Sequence, residues 1–209
     1  IMRELLYDLK EPGINIWMLP VLSAAFVLLS WYMQRLLGDN NTVTPAMLEM
    51  LIPFLGGYGS LMLMQGLLDT EGCEIQFTYP RSNLYWGLIR QLRFFVVYAV
   101  LIAAVCGSIA VIMDISFWSL FFLTLFQSFA LVAVAFLGIS LSRNVSVGLI
   151  ALLAFIGIQV TLGREYDIFN WLYILDGRSP AHEELVALCM RAFSDGICGL
   201  ITGQSWIHS

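Results

Sequence analysis

The chain has 209 residues, of which 59% are hydrophobic and only 12% charged, with a formal net charge of −5. A mean hydropathy of +0.83 excludes an ordinary soluble domain, whose helices each keep a polar face. The basic residues are nine Arg and one Lys, scattered over short polar segments, so no basic patch suggests a nucleic-acid partner.

Residues 1–13 read as a short interfacial helix. Leu5, Leu6 and Leu9 share one face, while Glu4, Asp8 and Glu11 turn towards the other. Pro12-Gly13 breaks this helix and lets the chain turn into a membrane. Residues 12–34, 50–68, 94–113, 115–142 and 144–163 then form runs without a single Asp, Glu, Lys or Arg. A helix of about 20 apolar residues crosses a hydrocarbon layer of ~30 Å. The first run is too long for the apolar stretch of a secretory signal peptide, so none is expected.

The spacing predicts spans over 14–37, 46–68, 92–113, 116–141 and 145–162. Pro20 falls in the first turns of the first span, where a missing N–H costs least. Thr44 reads as the N-cap of the second span, with Pro45 at its first helical position. Gly56, Gly57 and Gly59 in that span permit close helix contact. A hairpin at Asp114 joins the third and fourth spans, and Ser142-Arg143-Asn144 breaks the fourth from the fifth.

Residues 163–182 mix charges with Phe169, Trp171, Leu172 and Tyr173, as an extracytoplasmic interfacial segment would. Residues 183–209 are expected to form a poor sixth span in which Arg191 and Asp195, one turn apart, pair; an outer interfacial helix is the alternative. The fold class expected is all-α: one polytopic membrane domain over 1–209 with five to six transmembrane helices. Placing the N-terminus in the cytoplasm puts Arg3, Lys10, Arg81, Arg90, Arg93 and Arg143 inside and Arg35, Arg164 and Arg178 outside. Six against three favours that orientation.

Residues 69–93 then form the longest cytoplasmic loop. Asp69, Glu71 and Glu74 come first, followed by Ile75, Phe77 and Tyr79-Pro80-Arg81-Ser82, and then by the amphipathic run 84–93. Here the chain resembles the permease subunits of ABC-2 type ATP-binding-cassette transporters. In that family the loop after the second span carries acids, a short helix, and a Pro beside an Arg-Ser or Ser-Arg pair. Glu71-x-x-Glu74 and Tyr79-Pro80-Arg81-Ser82 match it in order and spacing, and the N-terminal amphipathic stretch looks like the family's connecting helix. The layout covers residues 1–162, and the motif itself is confined to this loop.

The resemblance implies a bacterial cytoplasmic-membrane exporter of a hydrophobic or amphipathic substrate. It implies two permease subunits, identical or not, and ATPase subunits that bind the ATP and Mg²⁺; no cofactor is expected in this chain. No Gly-x-x-x-x-Gly-Lys-Ser/Thr motif occurs here, so ATP would be hydrolysed elsewhere. A loop helix with apolar anchors can sit in a groove on such a partner. Phe77 and Tyr79 would be the anchors, Glu71, Glu74 and Arg81 would set register, and Pro80 would fix the bend. Charges and aromatic residues occur in many interfacial loops, so a membrane scaffold or immunity protein that binds a partner and moves nothing is the rival from a different class.

Catalytic readings fit less well. Glu183-Glu184 resembles the paired glutamates of the CPBP intramembrane proteases, but that family's Arg would fall at Leu188. Ser140 lies in a helix without the Gly that closes a nucleophile elbow or a His to activate it. Cys73, Cys106, Cys189 and Cys198 form no CxxC pair and read as apolar fillers, not as a metal cage. The five main spans are expected to hold no intramembrane carboxylate, which argues against a proton-coupled carrier. Gln65, Gln127, Ser128 and Gln159 are their polar groups. They read first as interhelical hydrogen-bonding residues, with Gln65, Gln127 and Gln159 as the substrate-path candidates.

Overall fold

The computed structural model describes residues 17–37, 43–68, 85–161, 194, 196–198 and 200–202. The elements in chain order are α1 (Met18–Leu37), α2 (Val43–Leu68), a π turn (Tyr85–Ile89), α3 (Arg90–Met113), α4 (Phe117–Ser142) and α5 (Val145–Thr161). No strand occurs among the described residues. The protein is an all-α membrane bundle: four helices are long and apolar enough to cross a membrane, and 145–159 adds a shorter apolar helix. The predicted interfacial helix at 1–13, most of the loop 69–93 and the segment 163–182 lie outside the described residues.

Two predicted boundaries move. Helix α2 includes Val43, so Thr44 lies inside the first turn and is not its N-cap. Pro45 remains in that turn, where helical N–H groups have no partner to lose. The third span begins earlier than 92, because the π turn runs straight into α3 and carries Arg90 and Gln91 into the protein interior.

Helix α2 is the hub and packs against α1, α3, α4 and α5. Its glycines make this possible, since small residues let neighbouring helices approach closely. Gly56 lies under the Tyr98 ring of α3, Gly59 meets Phe94 of α3 and Leu19 of α1, and Gly57 meets Leu131 of α4 and Leu152 of α5. Gly138 and Gly148 do the same for α4 and α5, where a Cβ on Gly138 would sit 3.3 Å from the Gly148 Cα. Hydroxyls inside the bundle are satisfied locally: Ser23, Ser30, Thr124, Ser128 and Ser140 each donate to the carbonyl four residues earlier.

Both tight hairpins turn through a left-handed residue. Asp114 has φ 55° and donates its N–H to the Ala110 carbonyl. Arg143 has φ 53° and donates to Ile139 at 2.8 Å. Asn144 then caps α5, its Oδ1 accepting the Ser146 N–H at 2.9 Å. Left-handed geometry costs an L-residue with a Cβ roughly 1 kcal/mol. Asp114→Gly and Arg143→Gly should each raise stability by about 0.5–1 kcal/mol, read as a higher melting temperature in detergent. A lower melting temperature in both would contradict the hairpin geometry.

The described residues between 194 and 202 are helical. Gly196 lies against the Phe129 ring and Leu200 is buried in the same cluster as Phe129, Ala130 and Ala133. Phe129 is at the middle of α4, so this stretch packs at mid-depth and not across an end of the bundle. That placement suits a sixth span and not an external cap; Arg191 and Asp195 lie outside the described residues.

Candidate functional site

Where the chain re-enters the bundle after the loop, a π turn precedes α3. It is the first described turn of that helix, and its hydrogen bonds close five residues back instead of four. It is followed by two polar side chains inside an apolar bundle: Arg90 is 2% exposed and Gln91 1%. Gln91 is clamped to α2 at two points. The Ser60 hydroxyl donates to its Oε1 at 2.9 Å, and its Nε2 donates to the Ser60 carbonyl at 3.4 Å. One turn further, Phe94 stacks on Tyr98 with ring centroids 5.8 Å apart, and the Tyr98 hydroxyl donates to the Ile52 carbonyl. The start of α3 is thus tied to α2 by a ladder of polar and aromatic contacts.

Ser60→Ala tests this clamp. It leaves the buried Gln91 amide without that donor, which should cost about 1–3 kcal/mol. Adding Gln91→Leu removes the stranded amide, so the double variant should recover part of the loss. Additive losses in a thermal-unfolding cycle would mean that the two side chains do not interact.

The loop residues Glu71, Glu74, Phe77, Tyr79, Pro80 and Arg81 lie outside the described residues. The three glutamines are described, and all three make interactions within the protein. Gln127 and Gln159 are buried and Gln65 is half-buried. Contacts of Gly57 with Leu131 and Leu152 set the register of α2, α4 and α5. At 1.5 Å per residue, Gln65 lies about two turns from that level towards the loop, Gln127 one turn away from the loop, and Gln159 two turns away from it. They stand at three depths, roughly 22 Å from first to last, and form no single cluster.

One sequence expectation is overturned. Helix α2 carries Glu49, only 4% exposed, inside the span 46–65. The charge-free run begins at residue 50, but both the predicted span from 46 and the observed helix from Val43 include residue 49, so the carboxylate falls within the bundle. The contacts Leu19–Gly59 and Tyr98–Ile52 place Glu49 level with about residue 29 of α1 and 101 of α3. That is roughly 12 Å and 18 Å short of those helices' ends. Pro53 sits four residues on and cannot donate the N–H that the Glu49 carbonyl would accept in a regular ladder. A carboxylate at that depth is kept for a reason, and the argument against a carrier from its absence falls.

A groove of about 600 Å³ runs between α1, α2 and α5, lined by apolar side chains that include Phe26, Met50, Phe54, Leu153 and Ile156. Cys106 is buried in the core as a small apolar residue, and the Ser140 hydroxyl is engaged with the Phe136 carbonyl at 2.7 Å.

Comparison with protein-family models, with curated proteins and with solved structures finds no match. Function therefore rests on the residues and their geometry.

Proposed function

We propose that this chain is the transmembrane permease subunit of an ATP-driven exporter resembling the ABC-2 type. The observation that carries the reading is the junction after the loop. A docking loop transmits force only if its exit is mechanically tied to the bundle, and the π turn with the Gln91–Ser60 clamp ties it to both α2 and α3. A separate nucleotide-binding subunit would hold ATP and Mg²⁺ and seat Phe77 and Tyr79. A second permease subunit would complete the path. The apolar groove beside α1 and α5 supports a hydrophobic or amphipathic substrate.

The reading places the loop 69–84 and the N-terminus in the cytoplasm of a bacterial cell. Cys73 should then resist an impermeant thiol reagent in intact cells and react once the membrane is opened. Labelling in intact cells would reverse the orientation.

Co-purification tests the function itself. A permease brings down an ATPase in fixed stoichiometry, whereas a scaffold or immunity protein brings down none. Glu49 favours a second reading, a carrier driven by an ion gradient. Such a carrier moves substrate in vesicles that hold this chain alone and no ATP.

A further inference from the structure

Glu49 does not stand alone at its depth. On α2 it lies two turns before Gly56 and Gly57. At about 100° per residue it falls roughly 20° from the Gly56 side, turned towards the Gly57 side. Gly56 meets Tyr98 of α3 and Gly57 meets Leu131 of α4, so Glu49 sits at the seam where α3 and α4 close on α2. Helix α4 runs parallel to α2, since α3 returns between them. Thr124 lies two turns before Leu131, hence on the α2-facing side of α4 and within about 2 Å of Glu49 in depth. Gln127 is on that side too, one turn further along, a gap that two long side chains bridge.

Both α4 side chains are buried and carry oxygens. Thr124 donates its proton to the Leu120 carbonyl at 2.8 Å, which leaves the lone pairs of Oγ1 to accept, and the Cys106 thiol of α3 is hydrogen-bonded to it. Glu49 and Gln127 both make interactions within the protein, and Gln127 Oε1 is buried and accepts no hydrogen bond. Among the described residues the titratable groups on this seam are Tyr98 and Cys106 of α3; α4 and α5 carry none, and Tyr32 and Arg35 of α1 are exposed. A carboxylate beside neutral oxygens is the ligand set of a hard cation, and membrane proteins keep such sets near mid-bilayer for ions.

The geometry points to a binding site for one monovalent cation, a proton or an alkali-metal ion, held by the Glu49 carboxylate with Thr124 and Gln127. Binding neutralises the carboxylate inside the bundle, and release restores its charge. Under the ion-gradient reading this site would hold the driving ion; the binding itself does not depend on that reading.

Thermal unfolding of the full chain in lipid nanodiscs tests this, because an ion bound by the folded state alone raises the melting temperature. In one arm sodium replaces choline at constant ionic strength, and in the other the pH falls at constant sodium. Once the site fills, each tenfold rise in the bound ion should raise the midpoint by about 3–5 °C. A sodium response marks an alkali-metal ion, and a pH response alone marks a proton. Glu49→Gln should unfold cooperatively and lose that response. An unaltered chain insensitive to both ions, or a Glu49→Gln variant that responds as the unaltered chain does, overturns the proposal. Should Glu49→Gln fail to fold, Gln127→Leu decides. It removes one oxygen and keeps the carboxylate, so the half-saturating concentration of the ion should change at least about fivefold, and an unchanged value overturns the site. A response lost in Glu49→Gln, together with no transport in ATP-free vesicles, removes the carrier reading and leaves the cation site standing.

Discussion

On the permease reading proposed above, replacing Phe77 and Tyr79 together with alanine is expected to abolish docking of an ATPase subunit while leaving the bundle folded. Buried aromatic anchors carry a large share of the energy of a small interface, and losing two should cost about 2–4 kcal/mol of docking. That corresponds to roughly 30- to 900-fold weaker association. Both residues precede the π turn in sequence and lie outside the described residues, and the docking reading expects the melting temperature of the isolated chain not to move. Two measurements separate docking from folding: the amount of ATPase recovered with the tagged chain, and the thermal midpoint of the chain alone. A double variant that assembles and transports normally would show that these side chains do not dock.

The second large effect is expected at Gly59. A Cβ there would lie 2.4 Å from Phe94 Cζ and 2.9 Å from Leu19 Cδ1, on two different helices. Phe94 cannot yield cheaply, because it is buried and stacked on Tyr98, whose hydroxyl is in turn fixed to α2. Gly59→Val should therefore push α1 and α3 away from α2 at a cost of about 3 kcal/mol, the upper end of ordinary overpacking. Gly157→Val is the control, since nothing lies within 4 Å of the Cβ it would gain. The first variant should melt well below the unaltered protein and the second beside it. Equal melting of the two would mean that the three-helix contact at Gly59 is misplaced.

How much of this was readable beforehand follows from the kind of signal each feature leaves. The spans were legible because an uncharged run of membrane length has few alternatives in a chain this apolar. The hairpins were legible because Asp114 and Ser142-Arg143-Asn144 are the polar interruptions between 94 and 161. The crowding of Gly56, Gly57 and Gly59 correctly pointed to close packing, although nothing local says that four helices would use it.

Glu49 was missed although the predicted span 46–68 contains it: the expectation of no carboxylate was taken from the charge-free run, which starts one residue later at 50. Arg90 was assigned to the loop because a charge normally ends a span; the π turn carries it inward instead. The Ser60–Gln91 clamp joins residues 31 apart in sequence, and each of those side chains is an unremarkable polar residue when read alone. Long-range pairing leaves no periodic trace. The loop residues that carry the family resemblance, Glu71 to Arg81, lie outside the described residues, so the resemblance stands on sequence alone.

The central place of α2 has a consequence for how the protein is made. A ribosome delivers α2 before α4 and α5, yet the groups that cover Gly57 are the Leu131 carbonyl and the Leu152 side chain, on those two later helices. Those that cover Gly56 and Gly59 belong partly to α3, which also emerges later. During synthesis α2 therefore enters the bilayer with Gly56 and Gly57 uncovered and Gly59 met only by Leu19 of α1. Its neighbours arrive one after another and close around it from the side. Each helix first becomes stable as a lone span, and association then proceeds by contact within the membrane plane. Birth order and burial order run opposite ways in this bundle, so its assembly is a lateral rearrangement around an early helix and not a stacking of spans in sequence.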